Sequence, residues 1–277
     1  MIEPLPYTVV DGIKCYSPSV AADYTDYPDS GFDLTDKNAQ SSFWVSSRNR
    51  LFKSLVERNL KSKGKTDLLE IGCGTGDFIR HLAESEKLEI TGSEVYLKGL
   101  VYAKKKLPHV NFVQFDVTQG TIGIEFDMIC AFDVIEHIDD DKTALANIHR
   151  MLKPNGVVLL SVPQHMFLWS RLDEIVKHKR RYSKQDLLAK LEESGFRIGY
   201  STSFVFFLFP LMLLSRLFDN GRASPQGSEL ELEERVTFSD FANAVFDFFM
   251  RIDEWFIQSG LSLPFGGTLI AVARKRG

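Results

Sequence analysis

A glycine-rich loop and three carboxylates are the places where residue type and spacing point to chemistry. Gly72-Cys73-Gly74-Thr75-Gly76 lies between a short apolar run and a helical pattern. Glycines there let backbone N–H groups approach a ligand closely, and the start of the helix adds positive potential. Nucleotide oxidoreductases use a comparable loop, but their G-x-G-x-x-G spacing leaves room for a pyrophosphate. Here the third glycine comes one residue early, and Glu70 precedes the first glycine by two. Glu94 ends the next apolar run and Asp116 the one after it. At the carboxyl ends of parallel strands, the first can accept ribose hydroxyls and the second an adenine amine. Singly, each reads as a solvated strand-end residue. Together they point to an adenosine-like ligand.

Three histidines fall toward the same edge. His137 follows the fourth apolar run, His165 the fifth, and His178 lies in the loop beyond. With an ordinary pKa of ~6.5, any of them can act as a general base. His137 is the first choice and His165 the second; the alternative for His137 is a capping or packing role. Lys177-His-Lys-Arg-Arg181 reads either as a solvated basic face or as a site for an anionic substrate, with His178, Arg181 and Tyr182 as its contacts. Phe43, Trp44 and Arg48 precede the loop in sequence. They either fold over the ligand or staple the helix that follows.

The elements that must position these residues alternate. Apolar runs at Asp67–Ile71, Leu88–Ser93, Asn111–Asp116, Phe126–Phe132, Gly156–Val162 and Phe196–Ser201 are separated by helical patterns at Phe78–Glu86, Val95–Leu107, Asp140–Leu152 and Lys184–Ser194. Such alternation predicts an α/β fold with a mostly parallel sheet and helices on both faces. Ser183 with Asp186 forms a helix start, and Gly195 a stop. Residues 1–40 lack periodicity and read as an irregular arm. Leu51, Phe52, Leu55, Val56 and Leu60 then form one helical stripe. Phe238, Phe241, Ala242, Val245, Phe248, Phe249, Ile252, Trp255 and Phe256 form another, expected to face the core. The division is therefore 1–61 arm and helix, 62–203 core, 204–263 helical insertion, and 264–277 the last strand, from Thr268 to Ala273.

Composition excludes several classes. The chain has 277 residues with a net charge of −4, which gives no field toward nucleic acid. No Asn-Pro-Pro-Tyr segment follows the fourth run for work on a flipped base. Three scattered cysteines make neither a disulfide framework nor zinc spacing, so no metal is expected and a reducing cytoplasm is. The N-terminus lacks a signal peptide's basic and apolar regions. The apolar run Phe204–Phe218 is shorter than the ~20 residues needed to cross a bilayer, and Pro210 interrupts it.

Leu68-Leu-Glu-Ile-Gly-Cys-Gly-Thr-Gly76 resembles motif I of class I S-adenosylmethionine-dependent methyltransferases. Phe126-Asp-Met-Ile-Cys-Ala-Phe-Asp-Val-Ile-Glu-His137 is similar to the strand-four signature of the ubiquinone-biosynthesis-like group, and Met151-Leu-Lys-Pro-Asn-Gly-Val-Val-Leu-Leu-Ser-Val-Pro163 to its turn into strand five. Phe43-Trp44 with Arg48, and His178-Lys-Arg-Arg-Tyr-Ser183, look like a bacterial subgroup tied to cell-surface glycan biosynthesis. The resemblance implies a Rossmann-like, seven-stranded sheet whose last strand is antiparallel, with the insertion in place of the final hairpin. It implies S-adenosylmethionine as cofactor and S-adenosylhomocysteine as product.

By the same resemblance, Glu70 holds the cofactor amine, and Gly72, Gly74 and Gly76 pass beneath it. Glu94 binds the ribose, and Asp116 the adenine amine. Phe132, Asp133 and Val134 line the floor beside the sulfonium. Cys73, Val95 and Val117 adjoin these positions, and Arg48 meets the cofactor carboxylate with Trp44 beside it. The acceptor is expected to be small or lipid-linked, bound under the insertion. Peripheral membrane contact at the inner face is a further expectation, and a homodimer through Phe248 and Phe249 is the competing account of the insertion. A nicotinamide oxidoreductase and a non-catalytic cofactor-binding protein are the alternatives.

Overall fold

Short β-branched and aromatic runs pair into one nine-stranded sheet of order β1-β2-β5-β4-β3-β6-β7-β9-β8 in the computed structural model, which describes residues 3–23, 42–219 and 238–276. The central strands are β3 (Thr66–Ile71), β4 (Leu88–Glu94), β5 (Asn111–Gln114), β6 (Phe126–Phe132) and β7 (Leu152–Pro163), all parallel. β9 (Thr268–Lys275) runs antiparallel between β7 and β8 (Phe196–Phe204). Ile71 lies opposite both Ser93 and Ala131, so β3, β4 and β6 end at one level. That shared carboxyl edge is where an open parallel sheet leaves a crevice.

Alternation at period two divides the strands between two cores. Leu69, Ile129 and Ala131 face α5 (Asp141–Met151) and α7 (Lys184–Glu193). Leu68, Met128 and Cys130 face α2 (Phe43–Arg58), which buries Leu51, Phe52, Leu55 and Val56. α4 (Leu97–Lys106) packs through Leu100 and Ala103 near the β4–β5 edge. The helix after the glycine loop, α3 (Asp77–Arg80), is shorter than expected. Beyond it the chain turns tightly, with His81 N–H donating to Phe78 O and Leu82 N–H to Ile79 O.

The sheet has nine strands rather than the expected seven. The two extra ones lie in the segment read as an irregular arm: β1 (Thr8–Val10) and β2 (Ile13–Cys15) form a hairpin, and β2 adds to β5 in parallel. Asp11 and Gly12, both at positive φ (51° and 71°), make its two-residue turn, a known use of Asp-Gly. A short helix α1 (Pro18–Asp23) follows; the rest of the expected arm up to residue 41 lies outside the described residues.

The insertion contains α8 (Phe209–Asp219) and α9 (Asp240–Gln258), while residues 220–237, which include nearly all of the polar stretch expected from Asp219 to Arg235, lie outside the described residues. The apolar run 204–218 is the end of β8, a turn and most of α8. Among the described residues, no helix is long and apolar enough to cross a membrane. α9 docks on α2 rather than on the sheet: Arg50 forks onto Glu254 (2.6 and 3.0 Å) and reaches Asp247 (2.6 Å), and Phe43 meets Phe246 at 5.1 Å. The stripe expected to face the core does not do so as a whole. The fully buried positions of α9 are Met250, Asp253 and Ile257, whereas Phe241, Phe248 and Trp255 are exposed. Apolar spacing is a poor guide on this helix, because its docked face carries Asp247, Asp253 and Glu254 for polar ties. Asp253 accepts from the N–H groups of Phe206 (2.6 Å) and Phe207 (3.3 Å) and so fixes the chain's exit from β8.

Candidate functional site

All three loop glycines are left-handed, with φ of 71°, 53° and 76° at Gly72, Gly74 and Gly76. They differ in what surrounds them. A Cβ on Gly72 would run into the Val134 side chain, and one on Gly76 would come within 3.1 Å of Ala103 Cβ. A Cβ on Gly74 would meet nothing within 4 Å. The loop is therefore packed at its two ends and open in the middle. Cys73 is buried, and its N–H donates to Ser93 O at 2.9 Å.

Glu94 lies against this opening. Its Oε2 accepts from Gly74 N–H at 3.0 Å, and Oε1 from Val95 N–H at 2.7 Å and Tyr96 N–H at 3.3 Å. Burial raises its pKa, and those three amides oppose the rise. Asp116, one strand over, accepts through Oδ1 from Thr118 N–H (2.8 Å) and Oγ1 (2.7 Å). Val117 is buried in the core, and its carbonyl accepts from Asn147 Nδ2 at 2.7 Å.

Glu70 is buried at the end of β3, and its Oε2 has no hydrogen-bond partner. Its pKa is pushed up to about 8, chiefly by burial and then by Asp77, with Arg48 opposing and Glu94 adding. A carboxyl in that state lacks a cation or N–H donor. The α-ammonium of S-adenosylmethionine is such a donor. The partnerless Glu70 oxygen and the open face at Gly74 fit that cofactor.

Asp133 follows the last residue of β6 and sits at φ 55°. Its Oδ2 lies 2.5 Å from Arg48 Nη2, and its Oδ1 accepts from Ser161 Oγ at 2.9 Å. The Arg48 guanidinium lies over the Trp44 and Phe52 rings (5.5 and 5.3 Å). Trp44 stacks near Phe204 at 6.3 Å, and Phe132 stacks on Phe52 at 3.9 Å. The structure thus brings Trp44, Arg48, Phe132 and Asp133 together. Arg48, expected at the cofactor carboxylate, is here held by Asp133.

His137 closes a single 3₁₀ turn, Ile135–His137, and its ring meets that of His178 edge-on at 4.8 Å. His165 lies elsewhere, at φ 65°, stacked on Phe167 at 4.9 Å and edge-on to Phe209 at 6.0 Å. Burial, and then Arg181, lowers its pKa. Phe209 leads on to Phe265 (5.2 Å) and Phe206 (4.7 Å from Phe265), an aromatic wall beside the ends of β7 and β8.

In the basic loop Lys177 and Lys179 are exposed, whereas Arg181 and Tyr182 are turned inward. Arg181 forks onto buried Asp173 (2.8 and 3.0 Å), which also accepts from Ser170 N–H and Oγ and meets His178 Nδ1 at 2.8 Å. These partners hold the Asp173 carboxyl well below the usual range against burial. Tyr182 is fully buried and donates to Asp141 Oδ2 at 2.7 Å, so it anchors the loop. Asp173, Glu136 and Ser161 are site residues absent from the sequence-based expectations. Ser170 and Asp173 carry a readable signal, the S-x-x-D start of α6 (Arg171–Ile175). Glu136 carries none, since a strand-end glutamate is ordinarily solvated.

Comparison with known proteins points to a methyltransferase domain. A family model described as a methyltransferase domain matches residues 44–200. A probable S-adenosylmethionine-dependent methyltransferase of Mycolicibacterium smegmatis is 26% identical over 170 residues, covering 58% of this chain and 62% of that protein. An O-methyltransferase of Aspergillus nomiae is 28% identical over 163 residues, covering 54% of this chain and 72% of that protein. The chain thus spans about three fifths of the first relative. The solved phosphoethanolamine N-methyltransferase 2 of Haemonchus contortus, in complex with S-adenosyl-L-methionine, has a similar fold with a TM-score of 0.58. It is 20% identical, and the match covers 92% of this chain and 59% of that one.

Proposed function

The chain belongs to the methyltransferase-domain family, and from that premise we propose that it moves a methyl group from S-adenosylmethionine to a small acceptor with an apolar part. The observation that supports this most is Glu70: it is buried, its Oε2 has no hydrogen-bond partner, and the glycine loop that follows it is open in its middle. Bound S-adenosylmethionine supplies an electrophilic methyl carbon on a sulfonium. Glu70 would hold the ammonium, and Glu94 the ribose hydroxyls. Asp116 would orient the adenine amine. Phe132 and Val134 would shape the floor. The protein's remaining task is to hold the acceptor in line and exclude water. A base is needed only where the acceptor must lose a proton. His137 would take that role first, with its ring against that of His178, and His165 second, from its place in the aromatic wall.

The acceptor's apolar part is assigned to that wall. Phe167 and Phe265 are exposed there, and α8 continues it with exposed Leu211 and Leu214. The exposed line Phe241, Phe248 and Trp255 on α9 is the surface for the expected membrane contact.

Thermal shift tests the donor and a labelled transfer tests the acceptor. S-adenosylhomocysteine at 100 times its Kd should add ~2.7 kcal/mol of stability, and NAD none. Stabilisation by NAD alone would replace the methyltransferase with an oxidoreductase. With tritium in the donor methyl group, cell extract should yield label in the solvent-extractable fraction. Label confined to the aqueous fraction would rule out the apolar acceptor.

A further inference from the structure

We propose that Asp253 is the positioning residue of the aromatic wall: its carboxylate fills an anion nest formed by the turn after β8 and so holds Phe206 and Phe209 where the acceptor meets them. The role toward an acceptor rests on the methyltransferase reading, whereas the nest itself does not.

The turn is one that the chain does not adopt freely. Val205 sits at φ 67°, and a β-branched residue in the left-handed region is a true outlier. Such a conformation persists only where its surroundings over-determine it, and it gathers at ligand clamps. One side of the turn is closed by the Gly266-Gly267 pair before β9. A Cβ on Gly266 would lie 2.2 Å from Phe204 O, and one on Gly267 2.8 Å from Met212 Cε and 3.5 Å from Val205 Cβ.

The other side is closed by α9. Asp253 Oδ2 accepts from Phe206 N–H at 2.6 Å, and Oδ1 from Phe207 N–H at 3.3 Å. Successive backbone N–H groups that converge in this way make a concavity for an anion. Asp253 is fully buried. Burial pushes its carboxyl up to about 6, and the amides of Phe206, Phe207 and Val205 oppose the rise. At neutral pH it is therefore a buried ion whose lost hydration those amides offset.

The wall hangs on this turn. Phe206 meets Phe265 at 4.7 Å, and its carbonyl accepts from Phe209 N–H at 3.1 Å, which sets the first residue of α8. Phe209 meets Phe265 at 5.2 Å and His165 at 6.0 Å. α9 itself is fastened to α2 by Arg50. A carboxylate on a helix docked away from the sheet thus decides where two rings of the wall stand. Without it, Val205 is free to leave the left-handed region and carry both rings out of place.

The test uses the full chain and the apolar fluorophore N-phenyl-1-naphthylamine. The wild type should bind it saturably, and F265A should weaken binding at least tenfold, which locates the probe at the wall. D253A and D253N should each weaken it at least tenfold while keeping the S-adenosylhomocysteine thermal shift. Excess formate should restore D253A by refilling the nest. It should not restore D253N, whose amide still occupies the nest, and a purely structural role gives no such selective rescue. In transfer from the tritiated donor, D253A should raise the half-saturating amount of extract at least tenfold, more than it lowers the plateau rate. No saturable binding sensitive to F265A, wild-type probe affinity in folded D253A, or no rescue by formate would overturn the proposal. Wild-type amide exchange decides the matter where neither Asp253 variant folds: Phe206 and Phe207 should exchange no faster than α9, and faster exchange overturns the nest. Absence of the S-adenosylhomocysteine shift in the wild type, with probe binding and rescue as expected, upholds the nest and overturns the methyltransferase reading.

Discussion

Arg48 on α2 and Asp133 at the end of β6 are joined by an ion pair of 2.5 Å, with the guanidinium also lying over Trp44 and Phe52. The pair fastens α2 to the sheet's carboxyl edge. Asp133 is in a left-handed conformation, which glycine, asparagine and aspartate tolerate best. Both side chains are less than a quarter exposed (22% and 24%), so screening is moderate. A double-mutant cycle of R48A and D133N should give a coupling of ~1 kcal/mol in urea unfolding. Additive single effects would mean that the two residues stabilise the fold independently.

Glu70 sets a pH dependence whose sign follows from its raised pKa of about 8. Between the ordinary carboxylate value of 4.5 and about 8, the folded state binds a proton that the unfolded state has lost. Linkage then makes stability fall as pH rises through that window. E70Q should remove the fall. Its Tm should exceed that of the ligand-free wild type at pH 8 and match it near pH 4.5. The same variant should bind S-adenosylhomocysteine at least tenfold more weakly, measured by calorimetry. Wild-type affinity would remove Glu70 from the cofactor site.

Gly72 and Gly74 should separate packing from binding. G72A meets both positive φ and the Val134 side chain, so it should cost ~2–4 kcal/mol of stability. G74A meets positive φ alone and should cost ~1–2 kcal/mol. Its larger effect should be on S-adenosylhomocysteine affinity, because the methyl group enters the open face. Equal stability losses in the two variants would contradict the difference in their surroundings.

Asp173 should be the most sensitive position of the loop after β7. D173A leaves Arg181 buried without its partner and should cost ~3–5 kcal/mol. The depressed Asp173 pKa means that its contribution is present above the ordinary value of 3.8 and is lost as pH falls toward the folded value. Acid unfolding of D173N should therefore be shallower below pH 4 than that of the wild type. Circular dichroism during acid titration measures both slopes.

Local pattern was enough for the parallel core. Alternating apolar runs, the early third glycine, and Glu70, Glu94 and Asp116 at strand ends are properties of nearby residues, and β3 to β7 formed close to where periodicity placed them. The hairpin at Thr8–Cys15 was legible through Asp11-Gly12 but too short to register as periodicity. The face that α9 buries was not legible at all. Its docking depends on Arg50, about two hundred positions away, pairing with Glu254. The same holds for the surroundings of single side chains. Sequence placed Glu136, His137 and His178 near one edge, as separate residues of ordinary meaning. Only the fold brought His178 beside Glu136, buried that carboxyl and turned Asp173 onto the ring, because desolvation and proton position depend on every neighbour in space rather than on neighbours along the chain.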